Sequence, residues 1–211
     1  YDTRGHGGSS APEDAYSMEM LAEDAAALFD ELGIEQVHFM GISMGGMIGQ
    51  TLALMHPERV SSLILCDTTC IVPDIMRPTW EERIETARSK GMSALVDATL
   101  ERWFSHEFHE AEPGTVGKIR DIVLTTPVSG FIGCARAIMN FDVKDQLPSL
   151  STPTLVMVGE RDPGTTVEAA EQIHEQIDNS VMVVLPGAYH LSNIEAADAF
   201  NENLLAFLKK Q

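Results

Sequence analysis

With 211 residues and 44% hydrophobic side chains, the chain is long enough for one domain or slightly more, and for a real core. That composition excludes a disordered chain, and no run approaches the roughly 18 apolar residues of a membrane span. With 14 Lys and Arg against 32 Asp and Glu, the net charge of −18 argues against nucleic acid and anionic membrane as partners.

The chain opens on Tyr1-Asp2-Thr3-Arg4, without an initiating Met. Residues 17–32 predict an amphipathic helix: Ser17 is placed to cap it, Leu21, Ala25, Leu28 and Leu32 recur at helical spacing, and Gly33 stops it. Gln36–Gly41 is a short apolar strand, followed by a Gly-rich turn and a helical pattern from Met47 to Met55 that ends at Pro57. Met40 and Met55 are expected in the core by periodicity. Val60–Cys66, Thr154–Gly159 and Val181–Leu185 read as further buried strands, with a helix carrying Val167, Ala170, Ile173 and Ile177 between the last two. A final helix is expected over 196–209, with Phe200, Leu204 and Phe207 on one face. Apolar strands separated by helices predict an α/β fold, a mostly parallel sheet with helices on both faces.

Residues 69–148 lack that rhythm and are mostly helical in composition. This stretch holds nine of the 14 basic residues but only 12 of the 32 acids, so it is near neutral while the rest carries most of the charge. It is expected to be a helical lid inserted into the core, dividing the chain into a first core part (1–68), the lid (69–148) and a second core part (149–211). Cys66, Cys70 and Cys134 form neither a disulfide framework nor a metal-ligand spacing, which predicts a reducing, cytoplasmic setting and no metal or other cofactor.

The sharpest motif is Gly41-Ile42-Ser43-Met44-Gly45. The pentapeptide alone is common, but here it sits after an apolar strand and before a helix, the setting of a nucleophile elbow. Side chains at 41 and 45 are expected to collide with the neighbouring strand and helix, and Gly46 and Gly49 to let the helix lie close to the sheet. Ser43 would then project from the carboxyl edge of the sheet, with a helix N-terminus facing any developing oxyanion.

A serine nucleophile needs a base and an orienting acid. Of seven histidines, His38, His56, His106, His109 and His174 fall on strands, helices or their ends. His190 instead follows the last strand and the turn Pro186-Gly187-Ala188-Tyr189, which predicts the base. Asp162, in Gly159-Glu160-Arg161-Asp162-Pro163, is the preferred acid, and Asp67, just after strand 60–66, is the rival.

Together with Asp2-Thr3-Arg4-Gly5-His6-Gly7-Gly8-Ser9 and the Ala188–Glu195 loop, these motifs resemble the α/β-hydrolase superfamily. Glu101-Arg102-Trp103-Phe104 and the stretch 126–134 are similar to the lid of the 3-oxoadipate enol-lactonases. The resemblance spans essentially the whole chain. It implies a cofactor-free serine hydrolase of a carboxylic ester or lactone, with Ser43, Asp162 and His190 as triad and the Met44 amide as one oxyanion donor. It also implies that three N-terminal strands, and the loop bearing the second oxyanion amide, precede Tyr1 as a segment of the same protein. His6-Gly7-Gly8 is expected to be a turn rather than that loop.

An enol-lactone carries a carboxylate, which an acidic protein repels at long range, so a local cation is needed. Arg102, beside Trp103, and Arg136 are the candidates, unless each merely pairs with a neighbour such as Glu101 or Asp142. A broad carboxylesterase is the alternative reading. A fragment or binding module, catalytically impaired for want of half the oxyanion hole, is the alternative from another class.

Overall fold

The computed structural model describes residues 1–211. In chain order the elements are α1 (Met18–Glu31), β1 (Val37–Ile42), α2 (Met44–Met55) and β2 (Val60–Cys66). Five helices follow: α3 (Arg77–Lys90), α4 (Val96–Trp103), α5 (His106–Ala111), α6 (Pro113–Thr125) and α7 (Val128–Met139). The chain then returns to β3 (Thr154–Gly159), α8 (Val167–Gln176), β4 (Ser180–Leu185), α9 (Ser192–Glu195) and α10 (Ala197–Leu208). Every strand begins and ends within a residue of its expected bounds. Helix α2 starts three residues earlier than periodicity indicates, because its glycine-rich first turn carries no apolar signal.

The chain divides into two compact units, 1–21 with 72–141, and 22–71 with 142–211. The second holds the sheet, four parallel strands in the order β1-β2-β3-β4. Parallel pairing demands crossovers, supplied by α2 between β1 and β2 and by α8 between β3 and β4. Strands β2 and β3 are central and almost wholly buried, as their unbroken apolar runs require. Ile64, Cys66, Leu155, Met157 and Leu185 pack with Ala188, Phe200 and Phe207 into one core cluster. Close approach of α2 is written into Gly49: a Cβ there would stand 2.8 Å from the Phe39 ring and 3.0 Å from Leu63.

Two core expectations fail. Met40 is 52% exposed and Met55 38%. Met40 lies on β1, which has only β2 beside it, and shares its open face with His38. Periodicity assigns residues to faces but does not say which face another layer covers.

In the other unit, Ile84, Ala135 and Met139 are buried between α3 and α7, with Trp80, Phe131 and Ile132 packed around them. The first residues form a tight turn. Gly5 and Gly7 have positive φ, Asp2 accepts from the Gly8 amide at 2.8 Å, and the Ser9 hydroxyl donates to the Asp2 carbonyl at 2.7 Å. His6 is part of this turn, as expected. No single helix is long and apolar enough to cross a membrane.

Candidate active site

In a parallel sheet all carboxyl ends lie along one edge, and binding sites gather there. The residue after β1 is Ser43, the residue after β2 is Asp67, the third after β3 is Asp162 and the fifth after β4 is His190. One edge of one unit therefore presents all four.

Ser43 joins β1 to α2 with φ 52° and ψ −116°, a strained conformation that non-glycine residues rarely adopt. Its amide donates to the Cys66 carbonyl at 2.9 Å, and its carbonyl accepts the Thr68 hydroxyl at 2.7 Å and the Gly46 amide at 2.9 Å. The strain is thus held from both neighbouring segments. A Cβ on Gly41 would stand 2.1 Å from the Gly45 carbonyl group, so the turn closes only with glycine there. The expected crowding at Gly45 is absent: a Cβ at that position meets nothing within 4 Å. The pressure falls instead on Gly41, on the strand side, and on Gly46 in the first turn of α2, where a Cβ would stand 2.6 Å from the Thr68 side chain. Since Gly46 and Met47 both donate to Ser43, the amides of Met44 and Gly45 stand at the helix start, outside the intrahelical ladder.

Asp162 and His190 meet directly. His190 Nδ1 lies 2.7 Å from Asp162 Oδ2, and both residues are buried. Asp162 also receives the Gly164 amide at 2.8 Å, the Thr165 amide at 3.0 Å and the Thr165 hydroxyl at 2.6 Å. Burial pushes its carboxyl up, but the hydrogen bond and charge of His190, together with the Thr165 and Gly164 donors, outweigh burial and lower its pKa. Thr165 escaped the sequence reading. The Asp-Pro-Gly-Thr run at 162–165 has the composition of a turn whose leading Asp accepts amides two and three residues on, and that signal could have found it.

Asp67, the rival acid, is wholly buried and makes no hydrogen bond to His190. Its Oδ1 accepts the Gly159 amide at 2.8 Å and its Oδ2 accepts the Ser192 hydroxyl. Geometry assigns the imidazole partner to Asp162.

The residues expected to meet substrate lie in the helical unit. Arg102 and Trp103 are half-buried on α4, and Arg136 is exposed on α7. Burial lowers the Arg102 pKa, and no carboxylate pairs with it. Arg83 was not singled out by sequence. Its guanidinium lies 4.5 Å from the Trp80 ring centroid and 5.6 Å from that of Phe131. Burial, then the charge of Arg102, lower its pKa to about 10. No three His, Cys, Asp or Glu side chains converge where a metal ion could be held. The three cysteines are free and buried, and burial holds the thiols of Cys66, Cys70 and Cys134 above their ordinary pKa, far from thiolate reactivity.

A parallel sheet with these loop ends defines a class, and comparison agrees. The family model for the alpha/beta hydrolase fold matches residues 1–197, and the chain belongs to that family. It is 38% identical over 210 residues to 3-oxoadipate enol-lactonase 2 of Acinetobacter baylyi, covering 100% of this chain and 78% of that protein. The crystal structure of the enol-lactonase from Burkholderia xenovorans LB400 superposes with a TM-score of 0.95 at 38% identity, over 99% of this chain and 79% of that one. A thermophilic esterase from Thermogutta terrifontis superposes with a TM-score of 0.93 at 30% identity, over 99% and 78%. These relatives support a hydrolase.

Proposed function

We propose that the protein is a serine hydrolase that opens a lactone or cleaves a carboxylic ester through an acyl-enzyme, with a small enol-lactone as its substrate class. The observation that carries this reading is the buried Asp162–His190 pair on the same sheet edge as the strained Ser43 turn. With Nδ1–H donating to Asp162, Nε2 is the basic nitrogen of His190. It takes the Ser43 hydroxyl proton as Oγ bonds to the substrate carbonyl carbon. The carbonyl electron pair moves onto oxygen, where the Met44 amide at the start of α2 donates to it. Collapse restores the carbonyl and breaks the bond to the leaving oxygen, which receives the proton from His190. In a lactone that oxygen stays tethered to the acyl group. A water then loses its proton to His190 as it attacks the acyl carbon. On collapse His190 returns that proton to the departing Ser43 Oγ, releasing the acid and the free serine.

Choice of substrate is assigned to the helical stretch 69–148, acting as a lid, with Arg102 and Arg136 as the cations for the carboxylate of an anionic lactone and Trp103 as a platform for its body. A broad carboxylesterase acting on short acyl esters is the second reading, favoured by the likeness to a solved esterase. Turnover of 3-oxoadipate enol-lactone and of 4-nitrophenyl acetate is compared in the unaltered protein and in Ser43→Ala. The reading requires hydrolysis of the lactone and its loss, by at least about 10³-fold, in the Ser43 variant. Equal turnover by that variant overturns the serine mechanism. Free turnover of the neutral ester, unaffected by Arg102→Ala or Arg136→Ala and with the lactone left intact, selects the esterase.

A further inference from the structure

Asp67 is the most deeply committed ionisable group that the proposed chemistry leaves unused. It has 0% exposure and a positive φ of 42°, and its amide continues the ladder of the sheet by donating to Met157 at 2.8 Å. Each carboxylate oxygen has its own donor. Oδ1 takes the Gly159 amide at 2.8 Å, at the last residue of β3, three residues before Asp162. Oδ2 takes the hydroxyl of Ser192, itself fully buried, two residues after His190.

The two gripped segments also touch each other. A Cβ on Gly159 would stand 2.3 Å from the Tyr189 carbonyl oxygen and 2.5 Å from that of Ala188, so the backbone before His190 lies directly on Gly159. Arg161 N–H donates to the Ala188 carbonyl at 2.9 Å. Gly159 is therefore held between the Asp67 carboxylate and the segment that leads into His190.

A buried carboxyl is expensive, and a group needed only to fill space would be apolar. Burial pushes the Asp67 pKa up to about 7 although both donors and His190 act to lower it. The ionisable groups facing it are Cys66, Asp162 and His190.

We propose that Asp67 is a positioning residue for hydrolysis: by binding Gly159 and Ser192 at once, its carboxyl fixes the segments that present Asp162 and His190 relative to each other. The proposal rests on Asp162 and His190 being the acid–base pair, and it makes Ser192 its partner in the same role. Displacing a base by about 1 Å costs up to about 100-fold in rate, so loss of this grip should appear in turnover rather than in substrate affinity.

The test compares Asp67→Ala, Ser192→Ala and Asp67→Asn with the unaltered protein. The readouts are kcat and KM on 4-nitrophenyl acetate, the low-field proton resonance of His190 Nδ1–H in water, and circular dichroism to establish folding. Asparagine keeps both bonds, its oxygen accepting from Gly159 and its amide donating to Ser192. The expected result is a kcat lowered about 10- to 100-fold in both alanine variants, with KM within about two-fold and the low-field resonance shifted or broadened. Asp67→Asn should stay within about three-fold of the parent kcat, with its resonance preserved. Should Asp67→Ala fail to fold, Ser192→Ala carries the comparison. The proposal is overturned if the folded alanine variants keep both their kcat and the resonance, or if Asp67→Asn is as slow as Asp67→Ala, which would mean that charge acts rather than the grip. If the unaltered protein does not hydrolyse the ester, the functional reading fails on that substrate, while the resonance of the variants still decides this proposal.

Discussion

Thr165 Oγ1 donates to Asp162 Oδ2 at 2.6 Å, the same oxygen that His190 Nδ1 reaches from 2.7 Å, and it lies 3.2 Å from that nitrogen. One hydroxyl therefore shares an acceptor with the imidazole and walls it on one side. Thr165→Val keeps the shape and removes the donor. Turnover should fall several-fold, and folding stability by about 1.5–3 kcal/mol, as expected for a lost hydrogen bond to a charged group. Steady-state kinetics with urea unfolding read both, and unchanged values on both would remove Thr165 from the site.

Asp162→Asn leaves the packing intact but offers an amide where the imidazole needs an acceptor. Turnover should drop by about 10⁴ while the fold persists. Near-normal turnover would reassign the orienting role to another group.

The two buried aspartates predict opposite dependences of stability on pH. Asp162 has a folded pKa below its ordinary value, so its contribution is present above about pH 4 and is lost as pH falls through the folded value. Asp67 has a folded pKa of about 7 against an ordinary 3.8, so the native state binds its proton more tightly and stability from this group declines as pH rises from about 4 to 7. Asp67→Asn removes that decline, leaving Cys66, Asp162 and His190 around it. The variant should gain stability relative to the parent between pH 5 and pH 8, read as urea midpoints. A difference that is flat over this range would mean Asp67 is already ionised throughout.

The elbow glycines predict a contrast of their own. Gly41→Ala drives a methyl into the Gly45 backbone and should cost about 3 kcal/mol or more, read as a fall in melting temperature. Gly45→Ala enters open space on a helix and should be neutral or stabilising by up to about 1 kcal/mol. Equal destabilisation by the two would contradict the contrast between crowded Gly41 and open Gly45.

Much of this was legible in the residues themselves. The unbroken apolar runs of β2 and β3 mark strands buried on both faces, and Ser43 and His190 stand out because each follows such a run at a turn. The choice between Asp162 and Asp67 was not decidable in the same way. Both follow strand ends, and only the three-dimensional path of the 188–192 segment puts the imidazole on one and the Ser192 hydroxyl on the other. Met40 shows the converse limit. Its alternation with Phe39 and Gly41 is real, but the open face it occupies depends on what lies beside β1.

Because the strands lie side by side in the order in which they are made, the site has a schedule. Ser43 arrives with β1 and Asp67 with β2, yet His190, the proposed base, comes only beyond β4. Until β4 docks on β3, Asp162 has no imidazole, and the Asp67 carboxyl has no Ser192 hydroxyl. In the proposed hydrolase a half-made or locally frayed molecule would thereby be chemically silent, and reactivity would report that β4 is home.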